Sequence, residues 1–141
     1  MGRFSRYYLY LAWLITLIAT MSTLYLSIIR GIPVCNLCWY QRICLYPLAI
    51  LLGIAAYRED SNIIFYALPL TALGFLFSLY QYLEQMIPNF TPIAFCGAGP
   101  DCHTIHFQLL KFITWPFLSL LATVAIAFLL FFYRLFRTRG K

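Results

Sequence analysis

Four long apolar runs, separated by segments that hold most of the charges, constrain the fold of this chain more than any other feature. A helix needs about 20 apolar residues to cross the hydrocarbon core of a bilayer. The runs lie at residues 7–29, 39–57, 63–83 and 112–132. With 63% hydrophobic and only 10% charged residues, the chain is too apolar for an ordinary soluble domain. We therefore predict an all-α membrane protein, a single domain over residues 1–141 folded as a four-transmembrane-helix bundle.

The first apolar run is predicted to be a retained helix and not a cleaved signal peptide. The hydrophobic region of a signal peptide has about 7–15 residues and is followed by a cleavage site of small residues. The run from Tyr7 to Ile29 is longer, and no clear small-x-small site accompanies it. We expect this run to form the first membrane span.

The positions of the cations predict the orientation of the bundle. If the N-terminus is cytoplasmic, the inner side holds Arg3, Arg6, Arg58, Arg134, Arg137, Arg139 and Lys141, and the outer side holds Arg30, Arg42 and Lys111. Seven against three follows the positive-inside rule. We expect both termini in the cytoplasm and two extracytoplasmic loops, residues 30–38 and 84–111. Since topology accounts for the net charge of +6, nothing indicates nucleic-acid binding.

Each predicted outer loop carries a pair of cysteines. Cys35 and Cys38 form a C-x-x-C motif, and Cys96 and Cys102 enclose the five residues 97–101. The glycines and proline in that segment suit a small ring that brings two sulfurs together. Disulfides persist on the outer side of a membrane, and thiol–disulfide exchange passes two electrons between pairs. Two pairs that face one space therefore suggest a redox relay.

Other interpretations of the cysteines stay open on the sequence alone. The loop cysteines can be static disulfides of a non-enzymatic membrane scaffold, or they can hold zinc with His103 or His106. The wide spacing of the second pair and the oxidising space count against zinc. Cys44, inside the second run, is interpreted as a buried cysteine that acts as a small hydrophobe.

Arg42 follows Cys38 by one helical turn at the mouth of the second apolar run. In a helix the two side chains share a face, about 6 Å apart along the axis. A cation there stabilises a thiolate, or an electron acceptor that touches it, although snorkelling towards headgroups is an alternative. Trp39 is a candidate for stacking on such an acceptor, and it also fits an interfacial aromatic belt. Glu84 is expected to mark the outer end of the third helix.

The stretch Cys35-Asn36-Leu37-Cys38-Trp39-Tyr40-Gln41-Arg42, with Tyr46-Pro47 and Gly53-Ile54-Ala55 after it, resembles the DsbB family of quinone-dependent disulfide oxidases. The match is closest to the short, Gram-positive BdbC-type members. It continues through Tyr82-Leu83-Glu84-Gln85, the second cysteine loop, and Phe112-Ile113-Thr114-x-Pro116-Phe117. The resemblance covers nearly the whole chain.

The resemblance implies an electron route through a protein of the cytoplasmic membrane. A reduced DsbA-like (BdbD-type) thioredoxin-fold partner attacks the Cys96–Cys102 disulfide, and Cys96 forms the mixed disulfide. Cys102 then reacts with Cys35, and Cys38 is the thiolate beside a membrane quinone. Arg42 interacts with the ring oxygens of that quinone, which is ubiquinone or menaquinone.

Two features depart from the long members of the family. The second pair encloses five residues here, where long members place many more, and Gln41 stands where they tend to carry an acidic residue. A glutamate role beside the quinone therefore does not transfer to this chain. Vitamin-K-epoxide-reductase-like proteins share the chemistry, but their cysteine arrangement matches less well.

Overall fold

Four α-helices make up almost all of the described structure. The computed structural model describes residues 3–31, 36–87 and 115–140, without the side chains of Gln85, Trp115 and Pro116. The helices are α1 (Arg3–Ile28), α2 (Asn36–Arg58), α3 (Ile63–Met86) and α4 (Trp115–Arg139). All four are long and apolar enough to cross a membrane, which confirms the predicted helical class and the four candidate spans.

The helices close into a ring in which each one packs against two neighbours. α1 packs on α2, α2 on α3, α3 on α4, and α4 returns to α1. Because only residues 59–62 join α2 to α3, these two helices run antiparallel. The centre of the ring is filled by one cluster of buried side chains: Leu9, Ala12, Leu45, Leu48, Leu52, Ala55, Ala56, Ile64, Ala67, Ile126, Leu130 and Tyr133.

The outward surface of the bundle is apolar on every helix. Ile18, Ile50, Phe65 and Phe128, one from each helix in order, are each about 60% exposed or more. A bundle in water presents charged and polar side chains on its outer faces. An apolar surface around an apolar core fits a protein whose solvent is lipid.

Contacts between helix ends place the α2–α3 turn beside the start of α1 and the end of α4. Arg6 of α1 forms an ion pair with Glu59 of the turn. The ring of Tyr8 in α1 stacks on that of Phe136 in α4, with 5.7 Å between centroids. The cations assigned above to the inner side and described in the structure therefore share one end of the bundle. Which side of the membrane this end faces stays a prediction.

All four helices extend beyond the apolar runs that mark them in the sequence: α1 and α2 at their starts, α3 and α4 at their ends. α2 begins at Asn36, so Cys38 lies in its first turn. The prediction from the sequence, which placed residues 30–38 in a loop, is therefore wrong for Cys38. α4 continues to Arg139, past the run that ended at residue 132. Hydropathy marks only the part of a helix that suits hydrocarbon, whereas backbone hydrogen bonds continue into polar sequence.

Candidate functional site

Cys38 lies at the end of the bundle opposite the termini, in contact with α3. Its Sγ accepts a hydrogen bond of 3.2 Å from Nε2 of Gln81. Cys38 also belongs to a small apolar cluster, in which Cys38, Phe77 and Tyr80 pack against the fully buried Leu37. The residue therefore lies in a partly apolar environment, while its sulfur receives an amide donor.

Gln81 belongs to a chain of polar side chains that crosses three helices. Its Oε1 accepts a 2.9 Å hydrogen bond from Nε2 of Gln41 in α2. Oε1 of Gln41 in turn accepts from the hydroxyl of Ser119 in α4, at 3.3 Å. Ser78 in α3 completes the set, with its Oγ 3.0 Å from that of Ser119. Gln41, Gln81 and Ser78 are all less than 9% exposed, so this network lies inside the bundle.

The donors in this network point one way, towards Cys38. The hydroxyl of Ser119 donates to Gln41, the amide of Gln41 donates to Gln81, and the amide of Gln81 donates to the sulfur. Hydrogen bonds aligned in series polarise one another in a low-dielectric interior. The positive end of the chain thus faces the sulfur, where it stabilises negative charge.

Arg42 is buried between α1 and α2, with 7% of its surface exposed. Its Nη2 donates to the backbone carbonyl of Thr23 at 2.9 Å. Its guanidinium carbon lies 5.5 Å from the ring centroid of Trp39, a cation–π contact. This burial differs from snorkelling, because the cation stays within the bundle and does not extend along its surface.

Trp39 and Tyr40 form an aromatic surface on the outside of the bundle, beside the Cys38 turn. Their side chains are 53% and 41% exposed. Tyr40 stacks on Phe77 of α3 at 5.4 Å, which anchors it on one side. An aromatic molecule in the bilayer can therefore reach Trp39 from the lipid side, and the guanidinium of Arg42 lies next to the ring of Trp39.

The structure brings together some of the predicted site residues. Cys38, Trp39 and Arg42 lie within the first two turns of α2, and Glu84, at the last turn of α3, is buried with 3% exposed. Cys44 is also buried, in agreement with its interpretation as a small hydrophobe. Other residues named above lie outside the described residues: Cys35, Cys96, Cys102, His103, His106 and Lys111.

Sequence reasoning missed the partners of Cys38. Gln41 was noted only as the replacement of an acid, and Gln81, Ser78 and Ser119 were not singled out. The available signal was the presence of polar side chains inside apolar runs. Such residues are costly in hydrocarbon and almost always face the bundle interior.

Comparisons with known proteins agree on a disulfide-forming family. The family described as "Disulfide bond formation protein DsbB" matches residues 5–133. A "Probable disulfide formation protein" of Coxiella burnetii is 62% identical over 125 residues, which cover 88% of this chain and 85% of the relative.

Two relatives from other bacteria extend this similarity. The "Disulfide bond formation protein C" of Bacillus subtilis is 43% identical over 119 residues, covering 84% of this chain and 86% of the relative. A "Probable disulfide formation protein" of Chlamydia trachomatis is 51% identical over 124 residues, covering 88% and 90%. No solved structure matches the chain.

Proposed function

Since the chain belongs to the DsbB family of disulfide bond formation proteins, we propose that it is a quinone-dependent oxidase of an extracytoplasmic DsbA-like thioredoxin-fold protein. Its four apolar helices and its family make it a multi-pass membrane protein that functions in disulfide formation. The electron acceptor, the partner and the roles of individual residues are the content of the proposal.

The observation that carries the proposal is the surroundings of Cys38. Its sulfur accepts a hydrogen bond from Gln81. The next residue along α2, Trp39, forms a cation–π contact with the buried guanidinium of Arg42. A stabilising disulfide needs neither a polarised donor chain nor a buried cation one turn away. Both features assist a sulfur that becomes negatively charged during its reaction.

The residues around Cys38 fit a quinone. Arg42 makes one hydrogen bond among the described residues, to Thr23, and a guanidinium has five N–H donors. Donors therefore remain for the carbonyl oxygens of a ring that lies beside Arg42 and Trp39. A bound quinone supplies an acceptor for two electrons and two protons. Arg42 and Trp39 are the residues that would hold it.

The thiol chemistry balances as two exchanges in series. The reduced partner's thiolate attacks the Cys96–Cys102 disulfide and forms a mixed disulfide with Cys96. The partner's second thiolate then resolves it, so the partner leaves oxidised and both loop cysteines are reduced. Cys102 next attacks Cys35 of the Cys35–Cys38 disulfide, which forms a Cys102–Cys35 bond and releases Cys38 as a thiolate. Cys96 then attacks Cys102, so the Cys96–Cys102 disulfide re-forms and Cys35 and Cys38 are both left reduced, with two electrons that a bound quinone would accept.

In these exchange reactions Gln81 and Arg42 have different roles. Gln81 donates to the sulfur of Cys38 as it leaves with negative charge, which lowers the barrier to breaking the bond. Arg42 places a fixed positive charge beside the position of the acceptor. Because both residues are buried in the bundle, their positions are set before the reaction begins.

The test is thiol oxidation by the purified protein in proteoliposomes, with a reduced DsbA-like protein as substrate and with or without added quinone. We expect turnover only with quinone, one disulfide formed per quinone consumed. Single replacement of Cys35, Cys38, Cys96 or Cys102 by Ser should abolish turnover, and the matched replacement Cys44→Ser should not. Oxidation without quinone would reject the electron route. Stoichiometric zinc in the protein, with no thiol exchange, would favour a static metal-binding protein.

A further inference from the structure

A cavity of about 210 Å³ lies at the other end of the bundle from Cys38, between α3 and α4. One water needs only about 10–15 Å³ of such space, so the cavity admits a larger group. One part of its wall is apolar, from Ile64, Phe65 and Leu68, and the other part is polar and basic. The basic part comes from the last turns of α4: Tyr133, Arg134, Arg137 and Thr138.

Two residues of this wall each have a buried polar atom that finds no hydrogen-bond partner among the described residues. These atoms are the hydroxyl oxygen of Tyr133 and Nη1 of Arg137. Tyr133 is 1% exposed, so its hydroxyl has no access to bulk water. A buried polar group without a partner costs about 1–3 kcal/mol, and more when the group is charged. Both groups can donate a hydrogen bond, and both residues line the cavity.

The acidic residues described at this end are engaged elsewhere. Glu59 forms its ion pair with Arg6 of α1. Asp60 accepts the backbone N–H of Asn62 at 2.9 Å, within the α2–α3 turn. The guanidinium of Arg134 lies over the ring of Phe65, 5.1 Å from its centroid, which directs it to the cavity wall but leaves its charge uncompensated. Neither cavity arginine forms an ion pair with a carboxylate in the described part of the chain.

We propose that this cavity binds the phosphate group of an anionic ligand, with Arg134 and Arg137 as its counter-ions and Tyr133 as a hydrogen-bond donor. Arginine presents a planar fork of donors that matches phosphate oxygens. The proposal concerns binding at the end of the bundle that holds the termini. It is independent of the oxidation chemistry at Cys38.

The phosphate can come from a lipid headgroup or from solution. Phe65 is 60% exposed on the lipid-facing side, so the cavity opens beside surface that hydrocarbon covers. A phospholipid would place its phosphate on the arginines and its chains along that apolar surface. Basic pockets between membrane helices bind acidic headgroups in this way. Free phosphate would use the same donors without the apolar contact.

The experiment measures thermal stability of the full-length protein in neutral detergent, titrated with phosphatidylglycerol, with phosphatidylcholine, or with inorganic phosphate. The variants are Arg137→Gln and Tyr133→Phe. Arg139→Gln is the matched control, because it removes one charge from the same helix at an exposed position outside the cavity. A dissociation constant is obtained from each titration.

We expect Arg137→Gln to weaken binding of the preferred phosphate ligand about tenfold or more, and Arg139→Gln by about twofold or less. Tyr133→Phe should weaken binding about threefold or more, yet leave the ligand-free melting temperature unchanged or higher, because the hydroxyl has no partner to lose. Stabilisation by phosphatidylglycerol alone identifies a lipid site, and stabilisation by inorganic phosphate identifies a soluble ligand.

Two results would overturn the proposal. Equal weakening by Arg137→Gln and Arg139→Gln would mean that the helix end attracts anions without a site. No stabilisation by any of the three titrants would mean that the cavity holds only water. Thiol oxidation activity serves as the control for correct folding. Each variant should retain wild-type activity, since these residues lie far from Cys38 along the helices.

Discussion

The hydrogen bond between Gln81 and Cys38 is the contact that distinguishes this cysteine from an ordinary loop thiol. A sulfur that departs as a thiolate from a half-apolar site needs its charge compensated nearby. Gln81 supplies a neutral donor in direct contact, whereas Arg42 supplies a full charge held by Thr23 and Trp39. The two residues should therefore affect different kinetic steps.

Replacing Gln81 by Leu should slow quinone-dependent thiol oxidation about tenfold, since a hydrogen bond to a charged group contributes about 1.5–3 kcal/mol. The measurement is kcat with saturating quinone and reduced partner. The rate at which iodoacetamide alkylates reduced Cys38, in a Cys44→Ser background, should fall in parallel.

Ser119→Ala is the control for this prediction. It removes the far, 3.3 Å link of the same network and leaves the Gln81 contact to the sulfur in place. We expect a loss of about twofold or less. Equal losses in both variants would indicate a general packing role for the network.

Replacing Arg42 by Gln should raise the KM for quinone about tenfold, because the charge that faces the acceptor is lost. Single-turnover exchange between the partner and the Cys96–Cys102 pair should stay within about twofold of wild type. Arg30→Gln removes an exposed charge before the same helix and should change neither quantity. An unchanged KM in Arg42→Gln would contradict the assignment.

At the scale of elements, the α1–α2 interface holds Arg42 in place, because the arginine of α2 donates to a carbonyl of α1. Membrane helices approach closely where one presents a small residue. Gly53 of α2 is such a residue: a Cβ built there would lie 2.9 Å from Nε1 of Trp13 in α1. Gly74 of α3 is less confined, since a Cβ built there would lie 3.5 Å from its nearest neighbour, Cγ2 of Thr123.

Gly53→Ala should lower the apparent melting temperature, although alanine alone favours a helix over glycine by about 0.5–1 kcal/mol. The ring of Trp13 has to move to admit the methyl group, and the α1–α2 contact loosens. The measurement is thermal unfolding in detergent, followed by tryptophan fluorescence.

Gly74→Ala is the matched substitution, because it gives the same gain in helix propensity at a site with room for the methyl group. We expect its melting temperature to equal or exceed that of the wild type. A fall as large as that of Gly53→Ala would show that Trp13 does not limit the α1–α2 approach.

At the scale of the whole molecule, the bundle separates two kinds of chemistry. The end that holds Cys38 carries the polar network and the aromatic surface of Trp39 and Tyr40. The opposite end carries the start of α1 and the end of α4, the ion pair of Arg6 with Glu59, and the basic cavity. The distribution of cations predicts that this second end faces the cytoplasm.

Reporter fusions test that orientation. Green fluorescent protein fused after Lys141 should fluoresce, and alkaline phosphatase fused there should be inactive, because the first folds in the cytoplasm and the second needs an oxidising space. Alkaline phosphatase inserted in the segment 88–111 should be active. The reverse pattern at either position would overturn the predicted topology.

Much of the helical architecture was predictable because a bilayer permits few solutions. An apolar run of about 20 residues has to be a helix in hydrocarbon, since its backbone finds no other hydrogen-bond partners there. The ends of α2 and α4 were less predictable. Asn36 and Arg139 are polar, and hydropathy gives no sign that the helix continues through them.

By itself, the sequence determined the relations that depend on distance along one helix. Cys38, Trp39 and Arg42 are neighbours on α2 because 3.6 residues make one turn, whatever surrounds them. The tertiary structure alone decided that Gln41, Gln81 and Ser119, from three different helices, meet in one network that ends at Cys38. How each helix is rotated and shifted against its neighbours depends on packing, and the spacing within any one helix does not contain that information.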